Sequence, residues 1–265
     1  MNKTELLDKY ARDGESRLLL ARVLDQQQRA DQRGIPTHTA FLSPAEQAMS
    51  ADLLMAAAPG QGVLHGGYAD AERKLWGFLP DWLDEDLWLA GEDCPLAALE
   101  VKTPKGAKLT HRDYLGSLMG LGITREKIGD ILIGETGAQV IVLRETLPIL
   151  LAQWEKAGRY PVTLTPLPLD QLTPAPGETK EVRATVASVR LDAVVSAGFS
   201  IPRSRAADLI RGGRVMVNHR PCEKADKVVE AGDVLTCRGL GKCVLTEIGG
   251  TSKRGRTILT IQRYL

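Results

Sequence analysis

The amino-acid sequence predicts an α+β, multidomain chain: a mainly helical N-terminal domain over residues 1–80, a βαββαβ middle domain over 81–172, and a basic helix-and-strand module over 181–265. Three observations predict it. Apolar residues recur at helical spacing in the first third, short apolar runs of alternating type fill the middle, and the charge changes sign near residue 180. At 265 residues the chain also exceeds the common domain size of about 100–150 residues.

In the first part, residues 3 to 31 read as helical, with Leu18, Leu19, Val23 and Leu24 on one face and Gly34-Ile35-Pro36 as the stop. A second helix opens at SPAEQ, where Ser43 is the N-cap, Pro44 the first helical residue and Glu46 the closing member of a capping box. Pro59-Gly60 ends it. The apolar VLHGGY and the amphipathic AERKLWGF follow.

In the middle part, LAALEVK reads as a strand, HRDYLGSLMGLG as a helix, IGDILIGE and AQVIVLR as strands joined at Thr136-Gly137, TLPILLAQWEKAG as a helix and YPVTLTPL as a strand. That order is the split βαβ pattern of ferredoxin-like and RRM-like domains. An RRM that stacks bases carries aromatics on its two central strands. Neither LAALEVK nor AQVIVLR has one, so a scaffold role is the preferred reading, and any RNA contact would use another surface. Five of the 14 prolines lie between Pro161 and Pro176, which reads as a semi-rigid linker.

The basic part carries the functional signal. The whole chain has 34 Lys and Arg against 33 Asp and Glu, a net charge of +1. Residues 181–265 hold 15 basic and 8 acidic side chains, whereas residues 1–180 hold 19 and 25. Such asymmetry points to a polyanion partner. Leu191, Val194 and Val195 form the apolar face of a short helix that Gly198 can end. A second helix, with Ser204 as its N-cap, buries Ala206, Leu209 and Ile210 and stops at Gly212-Gly213. Val215 and Val217 then alternate as a strand. This core leaves Arg203, Arg205, Arg211, Arg214 and Arg220 for the surface with Lys224, and Asp208 is the one acid between 203 and 222. A solvated face mixes signs; this one offers guanidinium forks that suit phosphate.

The segment resembles an S4 RNA-binding domain. The matching features are R-L-D at 190–192, S-R at 204–205, L-I-x-x-G at 209–213, V-x-V-N at 215–218, Lys224, G-D at 232–233 and R-G at 238–239. The resemblance implies RNA backbone across Arg190, Arg203, Ser204, Arg205, Arg211 and Arg214 and the loop around Asn218 and Lys224, with Arg238 and Lys242 in the same set. Lys253, Arg254 and Arg256 are further candidates for RNA contact on their own ground, the exposed tip of a β-hairpin predicted between CVLTEI and TILTI; the alternative is a merely solubilising turn. Together with HRDYLGSLMGLGITREKIGDILI at 111–133, GYADAERK at 67–74 and TSKRGRTIL at 251–259, the domain order is similar to that of the YlmH family of bacterial S4 proteins. The family implies a cytoplasmic protein that binds ribosomal RNA and peptidyl-tRNA on the large ribosomal subunit. It also implies a role in rescuing stalled nascent chains and partnership with a factor that adds C-terminal tails.

Arg112, Arg125 and Lys127 are a candidate second RNA contact; equally they can be surface charges paired with Asp113, Glu126 or Asp130. Cys94, Cys222, Cys237 and Cys243 form no CxxC pair and the four histidines are scattered, so neither a structural metal nor a cofactor is expected. The N-terminus is too charged for a signal peptide, and no apolar run approaches the roughly 18 residues of a membrane span, so no membrane partner is expected. The alternative function is an RNA-modifying enzyme of pseudouridine-synthase type, targeted by its S4 domain. For that reading R-L-D-x-x-T-x-G fails: Val195 stands at the Thr position and Gly198 comes one place late. No P-loop, GxSxG, HExxH or GxGxxG is present. An adaptor whose acidic N-terminal part binds a second protein while the S4 domain holds RNA is compatible with the binding reading.

Overall fold

Helices α1 (Lys3–Tyr10), α2 (Gly14–Arg33) and α3 (Pro44–Ala57) open the chain in the computed structural model, which describes every residue except Met1, Ala175, Pro176 and Lys253. The stretch read as one helix from 3 to 31 is two. Asp13 takes extended backbone (φ −153°) and its carboxylate accepts the Ser16 amide at 2.8 Å, which caps α2 and breaks the run. Gly34, left-handed at φ 62°, ends α2, and the Ser43–Glu46 capping box opens α3 as the spacing predicts. The strands β1 (Thr37–His38), β2 (Val63–His65) and β3 (Leu75–Phe78) form a small antiparallel sheet in the order β1-β3-β2. Trp76 and Phe78 of β3 pack with Val23 of α2 and Leu54 of α3. The segment read as amphipathic is thus partly a strand buried along its whole length. A short helix α4 (Glu85–Ala90) leads into the middle region.

There β4 (Leu96–Lys102), α5 (His111–Gly120), β5 (Ile128–Gly134), β6 (Gly137–Leu143), α6 (Leu147–Gln153) and β9 (Thr163–Leu167) give the expected βαββαβ order. The antiparallel sheet runs β5-β6-β4-β9, and a small hairpin of β7 (Lys156–Ala157) and β8 (Tyr160–Pro161) stands before its last strand. The proline-rich stretch is therefore not all linker, because residues 163–167 pair with β4. One face of the sheet packs Leu99, Val101, Val140 and Val142 against Tyr114, Leu118 and Leu150 from the helices. The opposite face carries Leu96, Ile141 and Leu143, and Phe41, Leu75 and Trp88 cover it. The surface on which an RRM stacks bases is here covered by Phe41, Leu75 and Trp88, so it is an internal packing face.

Two compact units result, residues 1–175 and 176–265. The second is built on a sheet in the order β10-β15-β14-β13-β11-β12. Its strands are β10 (Thr179–Val186), β11 (Val215–Val217), β12 (Arg220–Pro221), β13 (Val234–Cys237), β14 (Gly241–Thr251) and β15 (Thr257–Tyr264). Helices α7 (Leu191–Phe199) and α8 (Arg203–Arg211) stand between β10 and β11, and their apolar faces share one core with Val215, Val217, Leu235, Leu245 and Ile261. Two local readings are corrected. Gly198 does not end α7: it lies inside the helix, where an added Cβ would come within 2.9 Å of the Cys243 sulfur, and Ser200 (φ 55°) makes the left-handed stop. Ser204 is not the N-cap of α8, because Pro202 holds that position with extended ψ and the helix has begun at Arg203.

Candidate nucleic-acid interface

The sequence RSRAADLIR divides α8 cleanly. Ala206, Ala207 and Ile210 are buried, while Arg203, Ser204, Arg205, Asp208 and Arg211 are exposed. Pro202 has no hydroxyl or carboxylate to offer, and no side chain caps the helix. The first amide bonded back along the helix is that of Ala206, to Pro202 O at 3.0 Å. The amides of Arg203, Ser204 and Arg205 thus stand at an open helix start flanked by two guanidiniums. This is the arrangement that binds phosphate oxygens at helix N-termini.

Asp192 in the first turn of α7 organises the arginines. Its residue is 6% exposed, and Arg203 grips the carboxylate in a fork, Nε to Oδ2 and Nη2 to Oδ1, both at 3.0 Å. Arg190 approaches the same group, with Nε 3.4 Å from Oδ1 and Nη2 3.5 Å from Oδ2. The bidentate pair fixes Arg203 across the two helices, yet Arg203 and Arg190 keep 51% and 40% of their side chains in water. One carboxylate between two guanidiniums leaves a net positive charge with its geometry set in advance.

The other predicted residues divide by what already holds them. Arg205 is exposed and makes no hydrogen bond or ion pair among the described residues. Arg211 pairs with Asp208 at 3.0 Å, an exposed contact that phosphate can displace. Arg214 donates to the Arg238 carbonyl at 2.9 Å and receives the Arg238 amide on its own carbonyl at 2.9 Å, so it anchors the turn that carries Arg238. Burial raises the pKa of the Cys237 thiol against the opposing fields of Arg214 and Arg205. Asn218 has structural work. With His219 it forms the positive-φ turn between β11 and β12 (50° and 64°), and its side chain donates to Asp233 at 2.6 Å and accepts the Val234 amide at 2.9 Å. Lys224 is exposed in the following loop. Lys242 lies over the Tyr264 ring at 4.3 Å. At the β14–β15 hairpin Arg254 is exposed, Arg256 donates to the Thr185 carbonyl at 2.8 Å, and Lys253 lies outside the described residues.

The candidate second contact separates into three fates. Arg112 is exposed at the start of α5. Lys127 pairs with Glu145 at 2.9 Å, not with any of the acids near it in sequence. Arg125 turns inward, donating to the carbonyls of Ile128 and Gly129, and burial beside Arg73 lowers its pKa to about 10. Arg125 therefore holds the chain together at the start of β5. Close by, the carboxylate of Asp130 accepts Tyr68 Oη at 2.9 Å and the amides of Glu72 and Arg73 at 2.6 and 3.0 Å. The motif GYADAERK is thus fastened to the IGD within the motif at 111–133. The roles of Asp130 and of Asp192 escape a reading of spacing, since their partners lie 57 to 62 and 11 residues away; the R-L-D triplet was the one local sign of the second. Among the described residues no cluster of His, Cys, Asp and Glu is arranged to hold a metal ion, and no helix is long and apolar enough to cross a membrane.

Helix-helix-strand packing with an arginine-edged, uncapped α8 defines an S4-type RNA-binding protein, and the S4 domain model matches residues 189–235. Two further models match earlier segments: "YlmH, N-terminal" over residues 15–77 and "Putative RNA-binding domain in YlmH" over 90–171. The chain is 36% identical over 231 residues to the "Ribosome-associated protein quality control protein P2" of Bacillus subtilis (strain 168), which covers 85% of this chain and 86% of that one. It belongs to the YlmH family. Among solved structures, "Cell division protein ylmH from Streptococcus pneumoniae" is similar at 24% identity and a TM-score of 0.49, covering 60% of this chain and 94% of that one.

Proposed function

We propose that this protein is a cytoplasmic, non-enzymatic RNA binder that engages ribosomal RNA and peptidyl-tRNA on the large ribosomal subunit during quality control of stalled nascent chains, alongside a factor that tails those chains. The observation that carries the reading is the face of α8: three outward cationic positions, Arg203, Arg205 and Arg211, around an uncapped helix start, in a region of 15 basic and 8 acidic side chains. The likeness to the Bacillus subtilis quality-control protein supports the ribosomal setting. Against the enzyme alternative, Asp192 is the aspartate that R-L-D would offer to chemistry, and it is buried and gripped by Arg203. A carboxylate so occupied is placed to orient arginines, which favours binding over chemistry. The extended phosphate set is then Arg190, Arg203, Ser204, Arg205, Arg211 and Arg214, with Lys224, Arg238, Arg254 and Arg256 at its margins. Sedimentation of cell extracts tests it. The protein is expected with large subunits at low salt and at the top of the gradient at high salt; its absence from large subunits at low salt, with stalled ribosomes present, would overturn the ribosomal reading.

A further inference from the structure

The N-terminal unit carries a second surface of opposite character. A groove of about 700 Å³ runs between the end of α2 and the segment that precedes α4. Its floor is apolar: Val63, Phe78, Leu79 and the backbone of Gly62, whose left-handed φ of 92° lets the chain lie on the Phe78 and Trp76 rings, where a Cβ would come within 3.0 and 3.1 Å. Trp82 stands at its edge. The indole Nε1 donates to the Gly34 carbonyl at 3.3 Å, so the ring is held, yet the residue is 65% exposed. Trp76, Trp88 and Trp154 are, by contrast, at most 8% exposed. Among the described lining residues the ionisable ones are all acidic, namely Asp31, Asp81, Asp84 and Glu85, and Asp86 follows directly in sequence. The indole is held at one edge by its bond to Gly34 while its ring stays in water beside the apolar floor, which makes it the anchor of a contact surface.

We infer that this groove docks an extended protein segment rich in arginine and lysine, with one cation over the face of Trp82 and its neighbours against Asp81, Asp84 and Glu85. The charge decides the class of partner. Nucleic acid is repelled by a rim of carboxylates with no basic side chain among its described lining residues, whereas guanidinium and ammonium groups gain both the carboxylates and the indole face. The apolar floor takes the stems of those side chains. The surface is independent of the arginines of α8, and the inference stands whether or not those arginines meet ribosomal RNA.

The test uses the full chain, a fluorescein-labelled peptide of alternating arginine and glycine, and a polyuridine oligonucleotide as the competing class. The peptide is expected to shield Trp82 from acrylamide, which reports this residue because the other three tryptophans are buried. Trp82→Ala is expected to weaken peptide binding about fivefold, and Asp81→Asn combined with Glu85→Gln to weaken it and flatten its salt dependence. Both should leave the oligonucleotide affinity unchanged. Asp84 is left intact because it caps α4 through the Leu87 amide. If Trp82→Ala loses the fold with its bond to Gly34, the double charge variant decides alone. Shielding of Trp82 by the oligonucleotide but not the peptide, or wild-type peptide affinity in the folded variants, would overturn the inference.

Discussion

Replacing Asp192 with alanine removes the acceptor on which Arg203 and Arg190 converge, and the size of the loss follows from burial. Breaking a fully buried ion pair costs about 3–5 kcal/mol, because the surviving charge is left unpaired in a medium that cannot solvate it. Here the carboxylate side chain is 9% exposed while the two guanidiniums are 51% and 40% exposed, so they rehydrate once freed. The expected cost falls below that range, to about 2 kcal/mol. In a unit of this size each kcal/mol moves the midpoint by roughly 4–8 °C, which gives a fall of roughly 8–16 °C. The assay must see the right unit. All four tryptophans, at 76, 82, 88 and 154, lie in residues 1–175, so their fluorescence is blind to the loss. Urea or thermal unfolding followed by circular dichroism should show one transition shifted, with the tryptophan transition in place. An unshifted dichroism transition, or an equal shift of the fluorescence, would refute the view that Asp192 pins α7 to α8.

Residues 176–265 are expected to fold alone and to carry most of the RNA affinity, while 1–175 binds weakly; equal affinity of the acidic fragment in a filter-binding assay would contradict the charge argument. At the β14–β15 hairpin, Arg254→Ala should leave stability within about 0.5 kcal/mol, whereas Arg256→Ala should cost about 0.5–1.5 kcal/mol through its bond to Thr185; both should weaken RNA binding. Burial pushes the Cys243 thiol from 9.0 up to about 12 despite the opposing field of Arg263. Its contribution to stability is therefore complete below pH about 9 and lost between about 9 and 12, as the unfolded thiol ionises first. Cys243→Ser should flatten stability against pH in that window, and Cys222, the one cysteine that is not buried, should react first with a thiol reagent.

The periodic features of the basic unit were legible because local chemistry decides them. Ala206 and Ile210 repeat at helical spacing, Gly213 takes the left-handed stop at φ 66°, and Val215 and Val217 alternate. The caps were less so. Ser204 carries the usual N-cap hydroxyl, but Pro202 two residues earlier already supplies the extended turn, so the serine is drawn into the helix and its amide left open. Gly198 looks like a terminator and is instead a close-packing residue, a distinction that only the Cys243 contact reveals. In the N-terminal unit the strands β1, β2 and β3 are two to four residues long, too short for alternation to register, and they exist because β3 is enclosed by α2, α3 and Trp88. Of the predicted site, the outward face of α8 was readable as charge left over from a core. That Arg214, Arg256 and Asn218 also hold turns and strands was not, since their partners arrive from distant segments.

Arg205 offers the most direct measurement, because it is exposed and makes no ion pair among the described residues, so Arg205→Ala should fold with stability unchanged to within about 0.5 kcal/mol. RNA affinity of wild type and variant is measured across a salt series. If the side chain neutralises one phosphate beside the open start of α8, the slope of log K against log salt flattens by about 0.7–0.9, with preference among RNA sequences unaltered. A folded Arg205→Ala protein that keeps both the affinity and the full slope would contradict a phosphate site at this helix.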